Sequence, residues 1–193
     1  MKLAFFGGTF DPIHLGHLIL ARTALEQLGL DRVVFIPAAL SPHKLASQPA
    51  PVQVRLEMVR AAIAGEQAFE CDGSEVDRPG PSFTIDTVER FAARHRGDAL
   101  FYFIGHDNVR ELHTWRRIEE LRRLVQFVVF DRAGDAVVHD FPRVTRQVDI
   151  SATEVRTRVA CGASIRYLVP EPVREIIERA QLYQGETPSN PNT

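Results

Sequence analysis

Two runs of this chain, Phe101-Tyr102-Phe103-Ile104 and Phe127-Val128-Val129-Phe130, show no alternation of apolar and polar residues. A strand with one wet face alternates. A strand covered on both faces does not, and such strands belong to parallel sheets packed between layers of helix. The rest of the chain supplies the helices in regular alternation. Lys2–Phe6 reads as a short strand that ends at Gly7-Gly8. Leu15, Leu18, Ile19, Leu25 and Leu28 recur at helical spacing, with Gly29 as the stop. Arg32–Pro37 is β-branched and closed by proline. Val52–Ala64 is again amphipathic, and Phe69–Val76 reads as a weaker strand because Gly73 interrupts it.

The alternation continues. Ser82 precedes a helical pattern through Ile85, Val88, Phe91 and Ala92, and Ala99–Ile104 is a strand. Trp115–Leu124 reads as a helix and Val125–Phe130 as a strand. Val144–Ile150 reads as a further strand, Ser151 as the N-cap of a helix through Val159, and Glu171–Tyr183 as the last helix. This is the plan of a doubly wound, Rossmann-like α/β domain with a mainly parallel sheet and helices on both faces. In such folds ligands sit at the C-terminal ends of the strands.

Composition bounds the partners. The chain has 193 residues, 45% hydrophobic and 25% charged, enough for one core. Residues 1–184 are expected to form it, with 185–193 a polar, proline-containing disordered tail. A net charge of −2 gives no global field to gather nucleic acid. No apolar run approaches the roughly 20 residues that span a bilayer, and the first strand is too short for a signal-peptide core. A cytoplasmic location is the expectation. The two cysteines, Cys71 and Cys161, have no metal-ligand spacing around them.

The first strand runs into Gly7-Gly8-Thr9-Phe10-Asp11-Pro12-Ile13-His14-Leu15-Gly16-His17 and then a helix. Glycines let the backbone approach a ligand, and a helix N-terminus offers unpaired N–H groups to anions. His14 and His17 can project from one side of the first turn, and Gly16 removes bulk between them. The segment matches neither GxGxxG nor GxxxxGK[ST], so the common dinucleotide and P-loop patterns fail. A metal site lacks an HExxH helix or a further ligand nearby. Two histidines that merely cap a helix would account for an isolated HxxH better than for one placed after a strand and a glycine pair.

Gly7–His17 resembles the signature of the HxGH nucleotidyltransferases, in the form found in bacterial nicotinate mononucleotide adenylyltransferases. Further segments resemble that family in order: Ser41-Pro42-His43-Lys44, Pro81–Thr87, Gly105-His106-Asp107 followed by Trp115, Ile150–Arg156 and Ser164–Pro170. His106 stands where the family commonly carries a small residue. The resemblance implies transfer of AMP from ATP to nicotinate mononucleotide, giving deamido-NAD and pyrophosphate.

It also implies roles. Gly7, Gly8, Thr9, Phe10, Gly16, Gly105, Asp107, Ile150, Ser151 and Thr153 would bind ATP, together with His14, His17, Lys44 and Arg156, which would also carry catalysis. Ser82, Thr84, Thr87, Asp107, Trp115 and Arg116 would hold nicotinate mononucleotide. Trp115 stands open between a stacking face and a core anchor. Mg²⁺ would arrive with ATP, held by phosphates and water, without a dedicated metal site. The nucleophile is a phosphate monoester with a second pKa of about 6, already ionised at neutral pH, so donors and cations are needed rather than a base. Rival readings are another HxGH transferase using nicotinamide mononucleotide, phosphopantetheine or glycerol phosphate, and a nucleotide-sensing module without turnover. The Pro81–Thr87 and Gly105–Trp115 segments speak against the first. The retention of every histidine and cation speaks against the second.

Overall fold

A computed structural model describes residues 1–39, 49–76, 82–131 and 139–185. Six strands, β1 (Lys2–Gly8), β2 (Arg32–Pro37), β3 (Phe69–Cys71), β4 (Ala99–Gly105), β5 (Gln126–Asp131) and β6 (Arg143–Thr145), form one sheet in the order β3-β2-β1-β4-β5-β6. Every pairing is parallel. The chain order reverses between β1 and β4, and a crevice opens there at the strand ends.

The sheet is buried on both faces, as the uninterrupted apolar runs require. On β1, Ala4 and Phe6 face one core and Leu3 and Phe5 the other. The first core is closed by α1 (Leu15–Leu28), α2 (Val52–Ala62), α6 (Ala152–Ala160) and α7 (Glu171–Arg179). The second is closed by α3 (Thr84–Arg94) and α5 (Ile118–Leu124). Phe103, Val128 and Phe130 lie in the first core, and Tyr102, Ile104, Phe127 and Val129 in the second. The doubly wound plan expected from the sequence is the one found.

Several boundaries differ from expectation. β3 ends at Cys71, because Asp72 accepts the Ser74 amide at 3.0 Å and turns the chain. The expected strand Val144–Ile150 shrinks to Arg143–Thr145, at the sheet edge, where Val144 alone is buried and residues 145–147 are exposed. The helix expected from Trp115 starts at Ile118, since Trp115 is extended and Arg117 left-handed (φ 55°). A helix not anticipated, α4 (His106–Glu111), follows β4 directly and runs into a 3₁₀ turn at Leu112–Thr114. The last helix ends at Arg179 rather than Tyr183. Of the expected tail, only Gly185 lies among the described residues.

Candidate active site

β1 delivers Gly7 and Gly8 to the crevice. Gly8 leaves the space that the Phe10 ring fills: a Cβ there would meet it at 3.0–3.2 Å. Phe10 takes a positive φ of 48° and is buried, so its contribution is to hold the turn from below. After the turn, His14 caps α1 with extended backbone. Its amide donates to Nδ1 of His17 at 3.2 Å, and the two rings lie 3.7 Å apart. With Nδ1 accepting, the His17 proton sits on Nε2, leaving that nitrogen as the donor. Gly16 gives room chiefly to His14: a Cβ would stand 2.9 Å from its Nδ1.

The Ile150–Arg156 segment runs alongside this turn. Val148 lies against Gly16, and Arg156 donates to the Asp11 carbonyl at 2.7 Å and to Thr153 Oγ1 at 3.2 Å. Ser151 is the N-cap of α6, its hydroxyl accepting the Glu154 amide at 3.0 Å. The structure therefore brings His14, His17, Gly16, Ser151, Thr153 and Arg156 to one side of the Gly8–Asp11 turn. Lys44, with Ser41, Pro42 and His43, lies outside the described residues, as does Pro81.

On the other side of the turn is a cavity of about 440 Å³. Gly7, Gly8, Thr9 and Gly105 line it at the strand ends, and Ser82, Thr84, Trp115 and Arg116 form its walls. Trp115 lines the cavity and packs edge-on against Tyr102 and Phe127, as a core anchor would. The Arg116 guanidinium rests 4.7 Å above the Phe83 ring. Two expected residues are not in the wall. Thr87 is buried behind it and donates to Glu75, which does line the cavity. Asp107 faces solvent beside His106 Nε2 at 2.9 Å, and Asn108 occupies the wall instead.

Arg55 and Tyr183, which carry no motif, hold the crevice together with Asp11 of the Gly7–His17 turn. Arg55, 1% exposed, reaches from α2 to the carbonyls of Ala50, Thr9, Ala38 and Ala39. It thus ties the end of β1 to both ends of the segment after β2. Burial pulls its pKa down, and Asp11 and Tyr183 oppose that pull. Asp11 accepts from the Ala50 amide at 3.1 Å and from the Tyr183 hydroxyl at 2.6 Å. The partners are far apart in sequence, so only the fold reveals the cluster.

Tyr183 has a consequence that pH can test. Burial first, and the bond to Asp11 second, push its pKa well above 10. Burial likewise pushes Tyr102 up to about 12. Each folded phenol keeps a proton that the unfolded chain releases from about pH 10, so its contribution is complete below that pH and is lost above it. The thermal midpoint is expected to fall as pH rises from 10 to 11, and Tyr183→Phe to flatten that fall. Cys71, raised to about 11 by burial, acts with the same sign from about pH 9 and is common to both proteins. An identical slope in the variant would remove Tyr183 from this account.

The parallel order with its crevice at β1 and β4, and the HxGH turn at the end of β1, are features of a nucleotidyltransferase, and residues 5–158 match the family model described as cytidylyltransferase-like. The chain is 44% identical over 188 residues to a protein of Exiguobacterium sibiricum, covering 95% of this chain and 99% of that one. It is 42% identical over 200 residues to one of Rubrobacter xylanophilus, covering 96% and 94%. Both relatives bear the name "Probable nicotinate-nucleotide adenylyltransferase". The chain belongs to the nicotinate-nucleotide adenylyltransferase family. Its fold is shared with the Plasmodium falciparum nicotinic acid mononucleotide adenylyltransferase complexed with NaAD, at a TM-score of 0.76 and 15% identity, covering 94% of this chain and 97% of that one.

Proposed function

We propose that this protein transfers AMP from ATP to nicotinate mononucleotide, releasing deamido-NAD and pyrophosphate, and that residues 1–184 form the catalytic domain of a cytoplasmic enzyme. The observation that carries this reading is the two-sided crevice at the β1–β4 switch. A histidine and arginine cluster flanks one side of the Gly8–Asp11 turn, and a cavity walled by Trp115, Ser82, Thr84 and Arg116 opens on the other. The name shared by relatives above 40% identity supports the same reaction.

In this reading the acceptor's 5′-phosphate oxygen attacks the α-phosphorus in line. The bond from that phosphorus to the bridging oxygen breaks, and pyrophosphate leaves. No covalent enzyme intermediate and no general base are required, because the attacking monoester is already ionised. His17 Nε2–H and His14 would donate to phosphate oxygens, and Arg156 and Lys44 would offset charge on the transferring group and on the leaving pyrophosphate. The N-terminus of α6 at Ser151 adds a favourable dipole. Among the described residues no three histidine, cysteine or acidic side chains converge on a metal position. In this reading Mg²⁺ enters with the substrate, as the Mg²⁺ complex of ATP, held mostly by phosphates and water.

The test is pyrophosphate release by the purified protein with ATP and Mg²⁺. Nicotinate mononucleotide is expected to support turnover well above nicotinamide mononucleotide or phosphopantetheine. Absence of pyrophosphate with the first acceptor would refute the assignment. Turnover with phosphopantetheine alone would move it to a sister activity.

A further inference from the structure

The cavity has a polar element that none of the motifs contains. Tyr102 lies within the apolar run of β4, and its ring packs as core, edge-on to Trp115 at 6.0 Å and to Phe127 at 6.1 Å. Its hydroxyl does something different. It reaches the cavity wall over Gly7, where an added Cβ would stand 2.3 Å from the phenolic oxygen. Tyr102 is 8% exposed, and the contact recorded for its hydroxyl is Thr84 Oγ1 at 3.5 Å. About 2.7–2.8 Å is usual for such a bond.

Burying a hydroxyl on so long a contact is unfavourable, and phenylalanine would make the same ring contacts without it. The neighbouring donor has a similar deficit: the Trp115 indole N–H is buried with no acceptor among the described residues. Burial keeps the phenol protonated at neutral pH, hence a donor. The hydroxyls of Ser82 and Thr84 and the Arg116 guanidinium add further donors to the same walls. Glu75, the carboxylate of this cavity, accepts from Thr87.

We propose that the Tyr102 hydroxyl is a specificity-determining donor that hydrogen-bonds the pyridine carboxylate of nicotinate mononucleotide, an inference that rests on the reading of this cavity as the acceptor pocket. A carboxylate presents two charged acceptor oxygens to such a wall. A carboxamide presents one neutral acceptor, and its NH₂ group faces other donors. The hydroxyl therefore strengthens the acid's binding more than the amide's.

Tyr102→Phe isolates the hydroxyl, because the ring contacts remain. The measurement is steady-state kinetics with each mononucleotide at saturating ATP, together with the thermal midpoint of the free protein. KM for nicotinate mononucleotide is expected to rise about ten-fold, the loss of one hydrogen bond to a charged acceptor. KM for ATP, kcat and the efficiency with nicotinamide mononucleotide should stay within about two-fold, so the preference narrows. The midpoint should hold or rise. An unchanged nicotinate KM, or an equal loss with both acceptors, overturns the proposal. So does a lowered midpoint with unaltered preference, which would make the hydroxyl a packing group. Wild-type protein that forms no deamido-NAD overturns the underlying reading instead, a result visible before any variant is made.

Discussion

His17→Ala is expected to lower kcat by about ten- to a hundred-fold or more while the protein stays folded. The ring's Nδ1 accepts from the His14 amide, so the position of the ring is set by the backbone. A charge-assisted bond to the transferring phosphoryl is worth about 1.5–3 kcal/mol, which is that range of rate. Stability should fall only slightly: the His14 amide loses its acceptor and the ring its contacts with Phe6 and Phe10, but alanine is the better helix former at this half-buried position. His17→Gln, which keeps an N–H donor, should recover part of the loss. Normal turnover by a folded alanine variant would refute the role, and a large fall in the thermal midpoint would recast it as structural.

Arg55→Met should act in the opposite way, on the fold before the chemistry. Four carbonyls, those of Ala50, Thr9, Ala38 and Ala39, lose their donor; the bond to Ala50 is buried and the other three are half-buried. Leaving buried acceptors unsatisfied costs about 1–3 kcal/mol each where no relaxation follows. A loss of about 2–4 kcal/mol is expected, a drop of roughly 4–16 °C for a domain of this size. Arg55→Lys should not restore it, since an ammonium lacks the planar fork that spans separated acceptors. A variant within about 2 °C of wild type would show that the carbonyls find other donors. Between His17 and Arg55 the contrast is the useful readout: rate without stability in one, stability first in the other.

The sequence reveals some of these features and hides others for physical reasons. Phe127–Phe130 is legible as a central strand because burial on both faces removes alternation. The turn Gly7–His17 is legible because its constraints are local: glycines, an N-cap and two rings three residues apart. Arg55 is not, because its partners come from four positions in three segments and nothing nearby in sequence marks it. Tyr102 hides in a run that looks like core, and its ring is core. Only its last atom is not. Asp107, expected at the nucleotide, is exposed while Asn108 stands in the cavity wall, because α4 begins directly at His106 and a helix turns adjacent residues about 100° apart. The strand expected through Ile150 ended early because an edge strand with polar residues after Val144 has no second surface to bury.

The Tyr183–Asp11 bond joins residues 172 positions apart. Its closing group is among the last of the described chain to be synthesised, while the turn it supports is among the first. A nascent chain can pair β1 with β2 early, but Asp11 receives this donor only after α7 and the turn beyond it have docked. Completion of the Gly8–Asp11 turn is thereby deferred to the end of folding, and a chain interrupted before residue 183 would carry the motif in an unfinished setting. The contact thus orders events in time as well as atoms in space.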